Sequence, residues 1–260
     1  MCGLYGYTIN GDEIKNPLDN LNTLIHRGPD QWFEWSNTEL YMGHRRLSII
    51  DLSDRATQPM INKNKNIIIS VNGEIYNHEK IRKSLIDKYQ FMSNSDSEVV
   101  LHGFSEWGID KLLDKIDGMF AIAIYDLINN KLYLVRDRAG IKPIYYSFIN
   151  NQIVWGSELK AIKAHYNNNY SLEIDNEAVF DFLTYLYIPT PKTMYKNVFK
   201  LEPGHYIEFS LNDKRFLKKR YWNLEVNVED IKINDAKEKL EHLINQSVKE
   251  QMMSDVPVGF

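Results

Sequence analysis

The 260-residue sequence contains 43% hydrophobic and 25% charged residues, which are ordinary proportions for a globular protein. Its net charge of −4 provides no basic surface for nucleic acid or for an anionic membrane, so neither is expected as a partner. No run of about 18 apolar residues predicts a membrane-spanning helix. The single cysteine excludes an internal disulfide framework and indicates a reducing, cytoplasmic location.

The only cysteine stands at position two, directly before a strand predicted over residues 3–9. A side chain as small as that of Cys2 normally allows methionine aminopeptidase to remove Met1, which would leave a thiol and a free α-amine on one residue. Because an α-amine titrates near pH ~7.7, it can act as a base toward the thiol, whose thiolate attacks carbonyl carbon. The alternative interpretation is that a cysteine occurs at this position by coincidence.

Strand and helix patterns alternate along most of the chain. Strands are predicted at residues 31–36, 39–45, 67–71, 119–125, 131–135, 144–148, 152–155 and 205–211. Helices are predicted at residues 17–26, 79–89, 109–116, 158–164, 175–186 and 230–253, and another follows residues 93–98. The basic stretch 214–220 is expected to be a solvated loop. Helices on either side of two groups of strands predict packed sheets with the helices outside.

Two polar positions in this pattern allow both a structural and a functional interpretation. Asn72-Gly73 follows a strand, as a hairpin turn would, but a helix comes next instead of a returning strand. An Asn amide beside a Gly backbone N–H also provides the two donors of an oxyanion hole. Asp96 could cap the helix after it or bind a ligand, and both interpretations remain open.

Eight motifs in order and spacing resemble the amidotransferase domain of glutamine-hydrolysing asparagine synthetase. They cover residues 1–225 almost completely, and although each is weak alone, eight in register are highly specific. The motifs occupy residues 1–3, 27–30, 45–51, 71–77, 95–98, 117–121, 136–143 and 157–161.

The resemblance implies an α+β fold of the N-terminal-nucleophile (Ntn) hydrolase class, a four-layer αββα sandwich of two antiparallel sheets. It also implies that Cys2 attacks the side-chain amide carbon of glutamine with its own α-amine as the base. The Asn72 side chain and the Gly73 backbone N–H would hold the oxyanion. A thioester forms, ammonia leaves, and water releases glutamate.

The resemblance further implies how the substrate, L-glutamine, is bound. Arg46 would hold the α-carboxylate, with backbone groups of Ile49 and Ile50 beside it. Glu74 and Asp96 would hold the α-ammonium. This arrangement is physically reasonable because free glutamine is a zwitterion and requires both signs of charge in its pocket.

In the family, ammonia passes to a second domain that activates aspartate with ATP and magnesium. We therefore expect residues 1–225 to form the amidotransferase domain and residues 226–260 to form a linker and the start of an incomplete synthetase domain. No Gly-rich phosphate loop occurs in the sequence, so we expect no cofactor in this part. No metal is expected either, because the seven histidines never fall at ligand spacing. The resemblance is compatible with a homodimer.

Three alternatives remain beside glutamine-dependent asparagine synthesis. A related amidotransferase could serve another acceptor, in a cell-surface polysaccharide or antibiotic pathway. The module could have lost catalysis and act as a scaffold, or it could be an Ntn hydrolase of a different amide. For the last part of the chain, we expect the helix at 230–253 to pack on the amidotransferase half and the residues from 254 onward to fray.

Overall fold

The computed structural model of the protein describes residues 1–10, 16–166 and 171–259, and its framework is two six-stranded sheets. Sheet A contains β1 (Gly3–Thr8), β2 (Gln31–Ser36), β3 (Leu40–Arg46), β8 (Tyr145–Ile149), β9 (Gln152–Gly156) and β10 (Val198–Lys200). Sheet B contains β4 (Met60–Ile61), β5 (Ile67–Ile75), β6 (Gly118–Asp126), β7 (Lys131–Arg136), β11 (His205–Ser210) and β12 (Arg215–Arg220). The strand orders are β10-β8-β9-β1-β3-β2 and β12-β11-β7-β6-β5-β4, and neighbouring strands pair antiparallel.

Helices cover the outer face of each sheet. The helices are α1 (Pro17–Asn22), α2 (His78–Leu85), α3 (Glu98–Lys115), α4 (Leu159–Tyr166), α5 (Asn176–Tyr185) and α6 (Ile233–Gln251). Apolar side chains of α1 and α4 pack on sheet A, and those of α2 and α3 pack on sheet B. The predicted four-layer αββα sandwich is therefore confirmed. None of the helices in the described ranges combines the length and apolar character that a membrane crossing requires.

The sheets face each other across a separate apolar layer. Met42 and Trp155 of sheet A are buried there with Ala123 and Leu134 of sheet B. Successive side chains of a strand point to opposite faces, so a strand covered on both faces reads as a continuous apolar run. Strand β6 is such a strand, since it is buried from Phe120 to Asp126.

A polar contact crosses the apolar layer near one end of the sandwich. The buried side chains of His44 on β3 and Ser70 on β5 are joined by a hydrogen bond of 2.9 Å between Nδ1 and Oγ. Burial lowers the pKa of His44 to about 3, with the nearby Arg46 charge contributing, so the imidazole is neutral at physiological pH. This bond fixes β3 against β5 close to Asn72.

Several boundaries differ from the predictions because tertiary pairing extends or shortens the elements. Strand β5 does not end at Val71 but continues to Ile75, since Asn72, Gly73 and Glu74 remain paired with β6. The prediction that the basic stretch 214–220 forms a loop is wrong, because residues 215–220 pair with β11 as strand β12. The helices predicted at 17–26 and 79–89 are shorter, ending at Asn22 and Leu85.

Helix α6 lies differently from the prediction. None of its side chains is buried, and three of its apolar residues, Leu240, Leu243 and Ile244, are more than half exposed. The expectation that α6 packs on the amidotransferase half is therefore wrong. The residues after it were expected to have no partners, yet the Asp255 N–H donates to the Ile49 carbonyl at 2.9 Å. The expected fraying is thus wrong at Asp255, while Phe260 lies outside the described residues.

Gly6 allows a test of how tightly the layer between the sheets is packed. A Cβ atom at Gly6 would lie 2.2 Å from the ring of the buried Trp155, so Gly6→Ala must displace the indole. We expect a loss of about 1–3 kcal/mol in the free energy of unfolding, with Tm falling by ~2–4 °C per kcal/mol.

Gly156→Ala is the matched control, since its Cβ would approach neighbours no closer than 3.4 Å. Thermal unfolding followed by circular dichroism checks both variants. Equal Tm values for the two variants would contradict the close packing assigned to Gly6.

Candidate active site

One cleft at the end of the sandwich contains all eight residues predicted for the site. The cleft has a cavity volume of about 50 Å³. Its lining includes Cys2, Arg46, Ile49, Ile50, Asn72, Gly73, Glu74 and Asp96. Cys2 precedes β1, Arg46 ends β3, and Asn72 lies on β5, so interior strands of the two facing sheets bring the residues together.

The Cys2 thiol lies at the base of this cleft, partly buried. The Leu47 N–H donates to Sγ at 3.4 Å, and Sγ lies 3.7 Å from the Leu47 carbonyl oxygen. Burial raises the pKa of the thiol, while the Leu47 hydrogen bond, the N-terminal amine and the Arg46 charge oppose this rise. A thiol in these surroundings requires a nearby base to become a thiolate at neutral pH.

A charged cluster beside the cleft fixes the backbone of Cys2. Arg27 Nε donates to the Cys2 carbonyl oxygen at 2.9 Å, and Arg27 also donates to Glu158 Oε1 at 3.0 Å. His26 lies 2.9 Å from the same carboxylate, and Lys160 lies 3.1 Å from its other oxygen. Burial alone would raise the pKa of Glu158, but the bonds from Arg27, His26 and Lys160 lower it to about 2.

The Asn72 side chain is buried in the cleft without a hydrogen-bond partner. Its exposed fraction is 1%, and neither Nδ2 nor Oδ1 forms a hydrogen bond within the described residues. A buried amide left unpaired costs free energy, so such a group in a folded protein calls for an explanation. A ligand that accepts from Nδ2 would supply one.

The Gly73 N–H is directed away from strand β6, on the same edge of β5 as those of Val71 and Ile75. Phe120, which pairs with Gly73, uses both of its backbone groups to contact Asp137. Its N–H donates to Asp137 Oδ2 at 3.2 Å, and its carbonyl oxygen accepts from the Asp137 N–H at 2.9 Å. In an antiparallel ladder such a pair exchanges no hydrogen bonds. The Gly73 N–H therefore faces outward, and no side chain of the described residues accepts from it.

The neighbouring N–H groups on the same edge of β5 both donate to side-chain acceptors. The Val71 N–H donates to Gln58 Oε1 at 2.7 Å, and the Ile75 N–H donates to Asp96 Oδ2 at 2.7 Å. Gly73 lies between these occupied donors, and a Cβ at its position would come within 2.1 Å of the Met119 carbonyl oxygen. Only glycine can therefore bring this N–H to the cleft.

Arg46 is buried at one side of the cleft, but its terminal nitrogens already have partners. One donates to Gln31 Oε1 at 2.8 Å and to the Ser53 carbonyl at 3.0 Å. The other donates to the carbonyls of Ile50, at 3.3 Å, and Asp51. The guanidinium thus shapes the loop after β3 and supplies positive charge. A bidentate bond to a carboxylate would require it to exchange these partners.

The opposite side of the cleft carries two carboxylates. Asp96 does not cap α3 as one interpretation proposed, because its carboxylate accepts from β5 at Ile75 and the N-cap position is Ser97. Burial raises the pKa of Asp96, and burial together with the Asp96 charge raises that of Glu74. Two carboxylates with raised pKa values favour the arrival of a cation.

Lys142 and Gln58 are among the lining residues that received no role from the sequence alone. Lys142 is buried at the cleft, where burial lowers its pKa and the Glu74 carboxylate opposes that shift. Gln58 holds β5 through Val71 and donates to Ser97 Oγ at 3.3 Å. The sequence signal for Lys142 was its position between Ile141 and a proline. Nothing in the sequence distinguished Gln58.

The N-terminal amine in this structure belongs to Met1. Burial lowers its pKa, and the charges of Lys142 and Arg27 contribute to the shift. The nitrogen of Cys2 is part of a peptide bond while Met1 is present, so it cannot accept a proton in that form. Surroundings that lower the pKa of an amine favour its neutral, basic form at neutral pH.

Comparison with known proteins assigns the chain to a family. Residues 1–222 match the family model described as a glutamine amidotransferase domain. The chain belongs to this family.

The relatives of this amidotransferase domain are longer proteins. A putative glutamine-hydrolysing asparagine synthetase 2 of Methanocaldococcus jannaschii is 35% identical over 283 residues, which cover 100% of this chain and 54% of the relative. The glutamine-hydrolysing asparagine synthetase 3 of Bacillus subtilis is 34% identical, with coverage of 99% and 42%. The chain thus spans about half the length of the relatives it matches.

A solved structure shows the same fold. Glutamine phosphoribosylpyrophosphate amidotransferase of B. subtilis, solved with ADP and GMP, aligns with a TM-score of 0.60 at 17% identity. The alignment covers 87% of this chain and 50% of that chain. The amidotransferase domain therefore has the Ntn sandwich fold expected from the sequence.

The cluster around Glu158 predicts a pH-dependent contribution to stability. Because the folded pKa of Glu158 is about 2, below its ordinary value of 4.5, the contribution is complete above pH 4.5 and is lost as pH falls toward 2. Glu158→Gln should lower Tm at pH 7 by ~2–4 °C, the shift expected for about 1 kcal/mol, and by less at pH 3.5.

Calorimetry at the two pH values measures the difference from the unmodified chain. Glu177→Gln is the control, since that carboxylate is 81% exposed and contacts only Lys192. A loss at pH 3.5 as large as that at pH 7 would be inconsistent with the low pKa of Glu158.

Proposed function

We propose that this domain hydrolyses L-glutamine to glutamate and ammonia, with Cys2 as the nucleophile. The observation that carries the proposal is the buried Asn72 amide, unpaired and located in the same cleft as the only thiol of the chain. Family membership supports the same reaction. An unpaired donor beside a nucleophile is the arrangement required to stabilise an oxyanion.

The charges of the cleft support an amino-acid substrate. The α-carboxylate of glutamine would lie toward Arg46, with backbone groups of Ile49 and Ile50 beside it. The α-ammonium would lie toward Glu74 and Asp96. Arrival of the ammonium would lower the pKa of both carboxylates, which burial raises in the free protein. The side-chain amide of glutamine would then extend toward Cys2.

Acylation begins when the α-amine of Cys2 takes the thiol proton and Sγ attacks the amide carbon of the substrate. The carbonyl oxygen becomes an oxyanion that accepts from Asn72 Nδ2 and the Gly73 N–H. The ammonium group of Cys2 then returns its proton to the departing nitrogen. Ammonia leaves, and a γ-glutamyl thioester remains on Cys2.

Deacylation repeats these steps with water as the nucleophile. The α-amine takes a proton from water as the oxygen attacks the thioester carbon, and the same two donors hold the second oxyanion. Collapse of this intermediate breaks the carbon–sulfur bond. The sulfur recovers its proton, and glutamate is released.

This mechanism requires the removal of Met1, because only then does Cys2 carry a free amine. The amine of Cys2 would lie beside Lys142 and Arg27, the two cations that lower the pKa of the present N-terminal amine. Their charges favour a neutral base at physiological pH. A reduced thiol is also required, which is the reason we propose a cytoplasmic location.

We propose further that residues 1–225 supply ammonia to a synthetase domain that begins within residues 226–260. In that assignment ammonia amidates aspartate to asparagine, as the names of the relatives suggest, and the sequence resemblance implies that ATP and magnesium serve this second reaction. The described residues contain no group of three or more His, Cys, Asp or Glu side chains able to hold a metal ion. No step of glutamine hydrolysis is therefore assigned to ATP or magnesium. A homodimer remains the proposed assembly.

Replacement of Cys2 is the primary test of this function. Cys2→Ala should lower glutamate release from glutamine by more than ~10³-fold, because the chain loses its nucleophile. Intact mass measured on the same samples must show the loss of one methionine, and unchanged Tm values must show that the variant is folded.

The assay also separates the alternatives. Equal activity of the processed chain and Cys2→Ala would exclude Cys2 as the nucleophile. A processed chain that leaves glutamine and other primary amides intact would support a catalytically silent scaffold. Preference for another amide over glutamine would support a different hydrolase.

Asn72→Ala should separate catalysis from stability. We expect kcat to fall by ~10²–10³-fold, the usual effect of removing one oxyanion donor. Since the Asn72 amide makes no hydrogen bond in the free protein, Tm should not fall as it would after the loss of a bonded polar group.

Asn94→Ala is the control, because Asn94 lies near the cleft and contacts Asp51 through its backbone N–H alone. Steady-state kinetics and thermal unfolding on the processed proteins provide both readouts. An unchanged kcat in Asn72→Ala would contradict the oxyanion role.

A further inference from the structure

A segment distant in sequence contacts the loop that lines the cleft. Residues 252–259, the post-α6 segment, approach residues 47–53, the substrate loop, which contributes Leu47, Ile49 and Ile50 to the lining. The Asp255 N–H donates to the Ile49 carbonyl at 2.9 Å, and the Asp51 N–H donates to Asp255 Oδ2 at 2.7 Å. Residue 255 therefore bridges the substrate loop at two points.

Asp51 connects this bridge with both sides of the cleft. Its carbonyl accepts from Arg46, on the side proposed for the α-carboxylate. Its side chain accepts from the Asn94 N–H at 2.6 Å, two residues before Asp96 on the side proposed for the α-ammonium. The other carboxylate oxygen accepts from the Ser53 N–H at 3.0 Å and from Ser53 Oγ at 2.6 Å.

The conformation of Asp51 makes its N–H dependent on an external acceptor. Asp51 has a φ of 55°, in the left-handed region that non-glycine residues seldom occupy and that Asp and Asn tolerate best. The Asp255 carboxylate is the acceptor that the structure provides for this N–H. A charged acceptor forms a stronger hydrogen bond than a neutral one.

A local turn presents the Asp255 side chain to the loop. Ser254 Oγ donates to the Val256 carbonyl at 2.8 Å and accepts from the Val256 N–H at 3.1 Å. These bonds enclose Asp255 between their two residues. No side chain of α6 is buried. The post-α6 segment is therefore connected to the substrate loop by the hydrogen bonds of Asp255 and not by packing of the helix.

We propose that Asp255 is a positioning residue for glutamine binding, acting through Asp51 on the substrate loop. This inference rests on the proposed function of the cleft. When the bridge is closed, the Ile50 and Asp51 carbonyls remain on Arg46, and Ile49 remains at the cleft. When it is open, the Asp51 N–H loses its acceptor and the loop can depart from the arrangement that binds the substrate.

The proposal predicts an effect on binding and not on chemistry. Asp255→Ala should raise KM for glutamine by roughly 3–10-fold, which corresponds to one hydrogen bond of ordinary net strength, and should change kcat by less than about 2-fold, since Cys2 and Asn72 are untouched. Asp255→Asn retains an acceptor oxygen and should keep KM near that of the unmodified chain. Asp235→Ala, at an exposed position of α6, is the matched control.

Amide hydrogen exchange provides a readout that does not depend on activity. In Asp255→Ala without glutamine, exchange at residues 49–53 should accelerate, while exchange in the central strand β6 remains unchanged. Unchanged exchange and KM in this variant, in a processed chain that hydrolyses glutamine, would overturn the proposal. A joint loss of kcat and Tm would also overturn it, by assigning Asp255 a general structural role.

Failure of the proposed function would be seen separately. It would appear as an unmodified, processed chain that releases no glutamate. In that case accelerated exchange at residues 49–53 in Asp255→Ala would still support the bridge, and unchanged exchange would refute it.

Discussion

The outward edge of β5 is the constraint on which the cleft depends. Three alternate N–H groups face that edge, and two of them are taken by side-chain acceptors, Gln58 at Val71 and Asp96 at Ile75. The third, at Gly73, has no side-chain acceptor within the described residues, and the close approach of the β6 backbone restricts this position to glycine. The pairing that extends β5 to Ile75 therefore determines three things. It sets the length of β5 in the sheet, the position of Asp96 and the direction of the Gly73 N–H.

Burial has opposite consequences for the acidic groups and for the amine of the cleft. It raises the pKa of Cys2, Glu74 and Asp96, and it lowers that of the N-terminal amine. In the proposed mechanism, a poorly ionised thiol beside an amine that readily loses its proton forms a nucleophile and base pair, which requires that both groups be held together. The Arg27 contact to the Cys2 carbonyl and the His44–Ser70 bond between sheets provide that rigidity.

The substrate loop extends this organisation beyond the sandwich. Arg46, predicted as a carboxylate ligand, uses its terminal nitrogens to hold the loop at Ser53, Ile50 and Asp51. Its positive charge acts on the cleft, while its hydrogen bonds act on the backbone. Arg46 thus affects both the charge of the site and the conformation of the substrate loop. The post-α6 segment contacts the same loop through Asp255.

The sequence alone determined most of the strands and helices, the class of the fold and eight of the residues that line the cleft. Periodicity and turn residues depend on neighbours a few positions apart, and these are present in the sequence itself. The motifs that resemble asparagine synthetase identified Cys2, Asn72 and Asp96 as members of one site.

Only the tertiary structure decided how distant groups meet. Capping and ligand roles for Asp96 were equally compatible with its local sequence, and the hydrogen bond to β5 excluded the cap. Lys142 and Gln58 lie at the cleft, and α6 lies unburied, because of packing between segments far apart in the chain. The Asp255 bridge joins residues 204 positions apart, a distance over which no local pattern carries information.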